Sequence, residues 1–172
     1  MERKGLIKFN GQDMTVIGAD LLVNQKAPVF TAQKMDWSNF DALSETKNKV
    51  RIIGALPSLN TSVCDLETRR FNQEAAALSG EIAILMVSMD LPFTLANWCA
   101  AAGVEKVITL SDHLNAEFGQ KYGVLIKELR IFRRAVFVVD RSDRLTYVDY
   151  LPELGQEPKY DQVLEAAKKA LQ

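Results

Sequence analysis

The chain has 172 residues, 48% hydrophobic and 25% charged. That is enough apolar material for one domain over residues 1–172 with a core that needs no metal or disulfide staples. A formal net charge of -1 excludes the broad basic face of a nucleic-acid binder, and no apolar run approaches the ~20 residues that span a bilayer. The first residues, Met1-Glu2-Arg3-Lys4-Gly5, hold no apolar signal core, so a cytoplasmic protein is expected.

In chain order, residues 6 to 17 read as a β-hairpin, because apolar and polar residues alternate around Asn10-Gly11, a strong tight-turn pair. Residues 30–33 form a short strand after Pro28. The β-branched run Val50 to Leu56 is expected as a buried central strand. Ser62 to Leu78 is expected as a helix with Gly80 as its stop. Ile82 to Val87 is a second buried strand. Pro92 to Ala102 is a helix, with Pro92 in its first turn and Gly103 beyond its end. A short strand at Val107 to Leu110 and a helix at Leu114 to Tyr122 follow. Ala135 to Val139 and Leu145 to Tyr150 make a late hairpin, and Tyr160 to Leu171 closes the chain as an amphipathic helix. Strand-helix-strand order gives a parallel centre with helices on its faces, and the late hairpin makes the sheet mixed, hence an α/β fold.

The chain has two cysteines and one histidine. Cys and His alone cannot supply the four or so ligands of a closed metal site, and no Gly-x-Ser-x-Gly elbow accompanies His113. The informative stretch is Pro57-Ser58-Leu59-Asn60-Thr61-Ser62-Val63-Cys64-Asp65, between a buried strand and a helix. Cys64 falls in the first helical turn, where unpaired N–H groups and the helix dipole favour a thiolate, the nucleophilic form. Thr61 stands three residues before it, and Pro57 fixes the strand exit. On this local pattern alone, a buried structural cysteine with an ordinary capping hydroxyl is the favoured reading. Cys99 has the same bland alternative as a core residue beside Trp98.

Pro57, Thr61 and Cys64 match Pro-x-x-x-Thr-x-x-Cys, the active-site pattern of the peroxiredoxins. Thr68-Arg69-Arg70-Phe71-Asn72, Ser88-Met89-Asp90-Leu91-Pro92-Phe93 leading to Trp98-Cys99, Val107 to Ser111, Arg134 to Val138 and Glu157-Pro158 resemble the thiol peroxidase subfamily over nearly the whole chain. The chain departs from the subfamily at Asn60, where Asp is usual, and at Ser62, where Gly is common. The resemblance implies a thioredoxin-like fold: a central mixed sheet flanked by helices, with an added N-terminal β-hairpin. It also implies a peroxidase acting on hydrogen peroxide and on alkyl and lipid hydroperoxides. Cys64 would be the peroxidatic residue, oxidised to a sulfenic acid, and Cys99 the resolving residue that closes an intramolecular disulfide on it. Arg134 would stabilise the thiolate and the charge spreading over the peroxide oxygens. Thioredoxin would recycle the disulfide, no cofactor would be needed, and the protein would be a homodimer. The rival class is a non-enzymatic redox sensor on the same fold.

Further expectations concern the surroundings. His113 is given no catalytic part. Arg69-Arg70 and Lys168-Lys169 read as solvated charge pairs, the first with the alternative of ordering the active-site helix, Leu91, Phe93 and Trp98 as core packing in preference to an apolar entrance, and Arg133 as a surface strand-end cation. Two cysteines on separate helices do not meet the ~7 Å Cα separation of a disulfide, so oxidation is expected to require local unwinding around both.

Overall fold

The computed structural model describes every residue except 76, 77 and 79. Strand β1 (Glu2–Phe9) turns through Asn10 and Gly11 into β2 (Gln12–Ile17). Both turn residues have positive φ, 50° and 79°, which matches the right-handed twist of the strands and explains the Asn-Gly pair. Then come β3 (Thr31–Gln33), β4 (Asn39–Asp41), α1 (Ala42–Glu45), β5 (Val50–Ala55), α2 (Ser62–Ala75) and β6 (Ile82–Ser88). The second half holds α3 (Pro92–Ala102), β7 (Ile108–Ser111), α4 (Glu117–Lys121), β8 (Leu125–Ile126), β9 (Ile131–Phe132), β10 (Ala135–Val139), β11 (Leu145–Tyr150) and α5 (Tyr160–Lys169). The predicted continuation of α2 past residue 75 falls partly on residues outside those described.

Among the described residues the main sheet has the order β11-β10-β5-β6-β7-β3-β4. The neighbours β5, β6 and β7 are parallel, and the flanking pairs are antiparallel. The strand period of two splits β5 between two cores. Ile53 and Ala55 join Phe137, Phe118 and Phe30 on one face, while Val50 and Ile52 join Ile84, Val136 and Phe71 on the other. Every β5 residue is buried, which suits a strand covered on both faces; the one charged member, Arg51, is buried with its guanidinium donating to Thr46 Oγ1 and to the Leu43 carbonyl, both at 2.8 Å. Helices α2, α3 and α5 place Phe71, Leu95, Val163 and Leu164 in the second core. The expected mixed, thioredoxin-like sheet with its N-terminal hairpin is therefore present.

Sequence reading overlooked a second sheet, β1-β2-β8-β9, in which the N-terminal hairpin is extended by the short strands β8 and β9. Ile7, Met14, Val16 and Ile126 form its small core, against which Ile131 and Leu154 pack. The helix expected over Leu114 to Tyr122 is only α4. Ala116 adopts a left-handed conformation, φ 50°, and the buried Asp112 carboxylate takes the N–H groups of Phe118 and Gly119 at 3.3 and 2.8 Å. That side-chain cap starts the helix late. Among the described residues no helix is long and apolar enough to cross a membrane.

Candidate active site

The exit of β5 delivers the cysteine. Leu56 N–H still pairs with Val87 O at 2.9 Å, and the buried Pro57 then turns the chain off the sheet. Thr61 folds back on Ser58: its N–H and its hydroxyl both donate to the Ser58 carbonyl, at 3.0 and 2.9 Å. Asp65 N–H donates to Thr61 O at 3.0 Å and opens α2. Asp90, just before α3, secures this loop by accepting from Ser58 Oγ at 2.7 Å and from Leu59 N–H at 2.8 Å.

Cys64, 0% exposed, lies in the first turn of α2 with Arg134 Nη2 donating to its Sγ at 3.1 Å. Arg134 directly precedes β10 and is 1% exposed. Its Nε and Nη2 both donate to the Leu154 carbonyl, at 3.2 and 3.0 Å, and Nη1 donates to Glu67 Oε2. The guanidinium is thus gripped on three sides. Burial acts against its charge, but Glu67 and Cys64 more than offset this and hold its pKa above the ordinary value.

Glu67 was not singled out from sequence. It is 0% exposed and one helical turn beyond Cys64. Burial pushes its carboxyl up to about 7, against the pull of Arg134. Its Oε1 has no hydrogen-bond partner among the described residues. The absent side chain of Gly54 makes room here: a Cβ would stand 2.6 Å from Met86 Cε and 3.6 Å from Glu67 Oε1. The available signal was an acidic residue three positions after the cysteine on one helix face.

A cleft of about 230 Å³ opens beside the cysteine, lined by Phe9, Pro57, Thr61, Ser62, Val63, Ile131, Arg134, Leu154 and Gly155. The sulfur is beneath this lining, and Arg134 touches both. Pro57, Thr61, Cys64 and Arg134 are therefore brought together. The apolar walls come from the hairpin sheet and from Leu154. Leu91 and Phe93 do not contribute, and they are not core either: they are 46% and 65% exposed. Arg133 corrects another expectation. It is 4% exposed, donates to Gly123 O at 2.9 Å and to Asp20, and stacks 4.0 Å over the Tyr150 ring. His113 is apart from the site, hydrogen-bonded to Gln33 Oε1 at 2.9 Å.

Cys99 stands apart as well. It is 8% exposed on α3, with Sγ 3.4 Å from Thr109 Oγ1 on β7, and burial pushes its thiol up. Both thiols are free. Strands β5 and β6 separate β10 from β7, which puts roughly 14 Å between the strands at which the two cysteines are anchored.

Comparison with known proteins decides the family. The Redoxin family model matches residues 22–164. The thiol peroxidase of Halalkalibacterium halodurans is 49% identical over 165 residues, 96% of this chain and 98% of its own length. That of Bacillus subtilis is 44% identical over 162 residues, 94% and 96%. The chain belongs to the redoxin family, among its thiol peroxidases. A peroxiredoxin-like protein from Aquifex aeolicus has a TM-score of 0.86 to this thiol peroxidase at 34% identity, covering 98% of this chain and 97% of that one. The thiol peroxidase from Chromobacterium violaceum, 19% identical, shares the fold at a TM-score of 0.82 over 96% and 97% of the two chains. This thiol peroxidase is a peroxiredoxin-type enzyme, and its full sequence offers two thiols for the chemistry.

Proposed function

We propose that this thiol peroxidase uses Cys64 as the peroxidatic cysteine and Cys99 as the resolving one. The observation that carries the reading is the buried Arg134 Nη2 at 3.1 Å from Cys64 Sγ. No comparable cation meets Cys99 among the contacts of the described residues, where the partner is Thr109.

The Cys64 thiolate attacks one peroxide oxygen, the O–O bond breaks, and the other oxygen leaves as hydroxide or alkoxide and is protonated. Charge spreads from sulfur over both oxygens, and a guanidinium fixed by Glu67 and Leu154 stabilises it without reorganising. Thr61 holds the loop geometry through its bonds to Ser58 and lines the cleft. Pro57 keeps water from the strand exit. The resulting sulfenic acid condenses with Cys99, and thioredoxin reduces the disulfide. No bound cofactor takes part, because sulfur carries both electrons.

The substrates are hydrogen peroxide and organic hydroperoxides. Phe9, Ile131 and Leu154 around the cleft support alkyl and lipid chains. Residues 1–172 act as one domain, in a cytoplasmic homodimer. Trp37 and Phe93, 40% and 65% exposed and 4.9 Å apart edge to face, support a second copy docking beside α3.

Mass spectrometry after one equivalent of peroxide tests the thiol assignment. The expected product is lighter by two hydrogens and yields a peptide linking Cys64 to Cys99. Cys64→Ser is expected to abolish turnover in a metal-free preparation, and appreciable turnover by that variant would overturn the assignment.

A further inference from the structure

Asp65, Arg69 and Asn72 are spaced four and three residues apart on α2, so they share one helix face. Asp65 and Arg69 reach the second half of α3, and Asn72 reaches the loop beyond it. Trp98 Nε1–H donates to Asp65 Oδ1 at 2.9 Å. Arg69 Nε donates to both Asp65 oxygens, at 3.0 and 2.9 Å, and Nη1 donates to the Ala102 carbonyl at 3.1 Å. The Arg69 guanidinium carbon lies 5.6 Å from the centroid of the Trp98 ring. Asn72 Oδ1 accepts Lys106 N–H at 2.9 Å, just past the helix. Asp65 directly follows Cys64, and Trp98 directly precedes Cys99. The bridge between the helices is therefore built on the immediate neighbours of the two thiols.

We propose that Asp65, Arg69 and Trp98 form a latch that keeps the two cysteine-bearing turns wound and thereby sets the rate at which Cys99 resolves oxidised Cys64. The inference rests on the cysteine assignment above and adds the positioning residues that time its second step. In that step Cys99 sulfur attacks the sulfur of the Cys64 sulfenic acid. The S–S bond forms, the S–O bond breaks, and the hydroxyl leaves with the Cys99 thiol proton as water. Cys64 sulfur is reduced and Cys99 sulfur oxidised.

A disulfide needs Cα atoms within about 7 Å. Reaching that separation unwinds the turns next to Asp65 and Trp98 and parts them. While the latch holds, Cys64 waits as a sulfenic acid. A second hydroperoxide molecule then competes for it, giving the sulfinic acid and an alcohol. Latch strength therefore divides oxidised enzyme between recycling and overoxidation.

Trp98→Phe keeps the ring and removes the donor, and Asp65→Asn keeps an acceptor but loses the charge. Sulfenic acid formation and disulfide formation are followed separately by stopped flow at matched peroxide. Trp98→Phe is expected to speed disulfide formation at least threefold, leave the peroxide step unchanged, and raise the peroxide needed for overoxidation. Asp65→Asn should fall between wild type and Trp98→Phe. Val139→Ala, in the core on the opposite face of the sheet, is the control for general destabilisation and should leave disulfide formation unchanged. An unchanged or slower disulfide step in both latch variants overturns the proposal, as does equal acceleration by Val139→Ala. If wild type forms no Cys64–Cys99 disulfide, the cysteine assignment itself fails and the latch falls with it.

Discussion

Glu67 and Arg134 form an ion pair with almost no exposed surface, 0% and 1%, directly behind the Cys64 sulfur. The pair costs desolvation on both sides, and Glu67 shows it, with its carboxyl raised from 4.5 to about 7. Because the folded pKa exceeds the unfolded one, the native state binds more protons between these values. Stability from this group is therefore full below about pH 4.5 and lost as pH rises through about 7. Glu67→Gln should remove that slope, which is on the order of 3 kcal/mol across the window. Urea melts of both proteins from pH 4 to 8 check it, and parallel pH profiles would show that Glu67 does not titrate there.

Arg134→Lys keeps the charge and loses the planar fork that spans Cys64, Glu67 and Leu154. The peroxide step should slow by about a hundredfold, the scale of losing one fixed donor to developing charge. Circular dichroism should show the fold intact. An unchanged second-order rate constant would make Arg134 a bystander.

The cleft wall from Phe9, Ile131 and Leu154 should matter for bulky substrates only. Phe9→Ala is expected to raise KM several-fold for an aryl or long-chain alkyl hydroperoxide and to leave hydrogen peroxide kinetics alone. Equal effects on both would assign Phe9 to hairpin packing instead.

The backbone around both cysteines should lose hydrogen-exchange protection on oxidation. The anchoring strands of Cys64 and Cys99 are separated by β5 and β6, so bonding requires local opening. Residues 62–68 and 96–102 should exchange faster in the disulfide form, while β5 and β6 stay protected. Equal protection in the two forms would mean that the disulfide closes without unwinding.

The strands and helices that carry the site were legible because their patterns are local. Val50 to Leu56 is a run buried on both faces, and Pro92 and Gly103 bracket α3 within one residue of the expected ends. The Cys64 turn could be placed from the strand–loop–helix order, but Arg134 is 70 positions away, and only the family pattern pointed to it. Glu67 was hidden by its charge: an acidic residue on a helix reads as solvated unless its buried partner is known. Arg69 is part-exposed, as a solvated charge would be, but its partners Asp65, Trp98 and Ala102 belong to two helices, and a bridge of that kind is not visible in local spacing. The second sheet escaped notice because β8 and β9 are two residues each and exist through pairing with β2 and with each other. Leu91 and Phe93 show the converse error, in which apolar identity was taken for burial.

The carbonyl of Leu154 has a consequence for anyone moving this chemistry elsewhere. It receives two of the Arg134 hydrogen bonds, and its side chain rests on the core of the N-terminal hairpin sheet. The aim of the guanidinium is thus inherited from a loop after β11 and from the first residues of the chain. The Pro57–Cys64 stretch is consequently not a portable cassette. Grafted into another thioredoxin-like scaffold it would bring the nucleophile without the group that orients its cation, and a transplant would need the hairpin and the Leu154 loop as well.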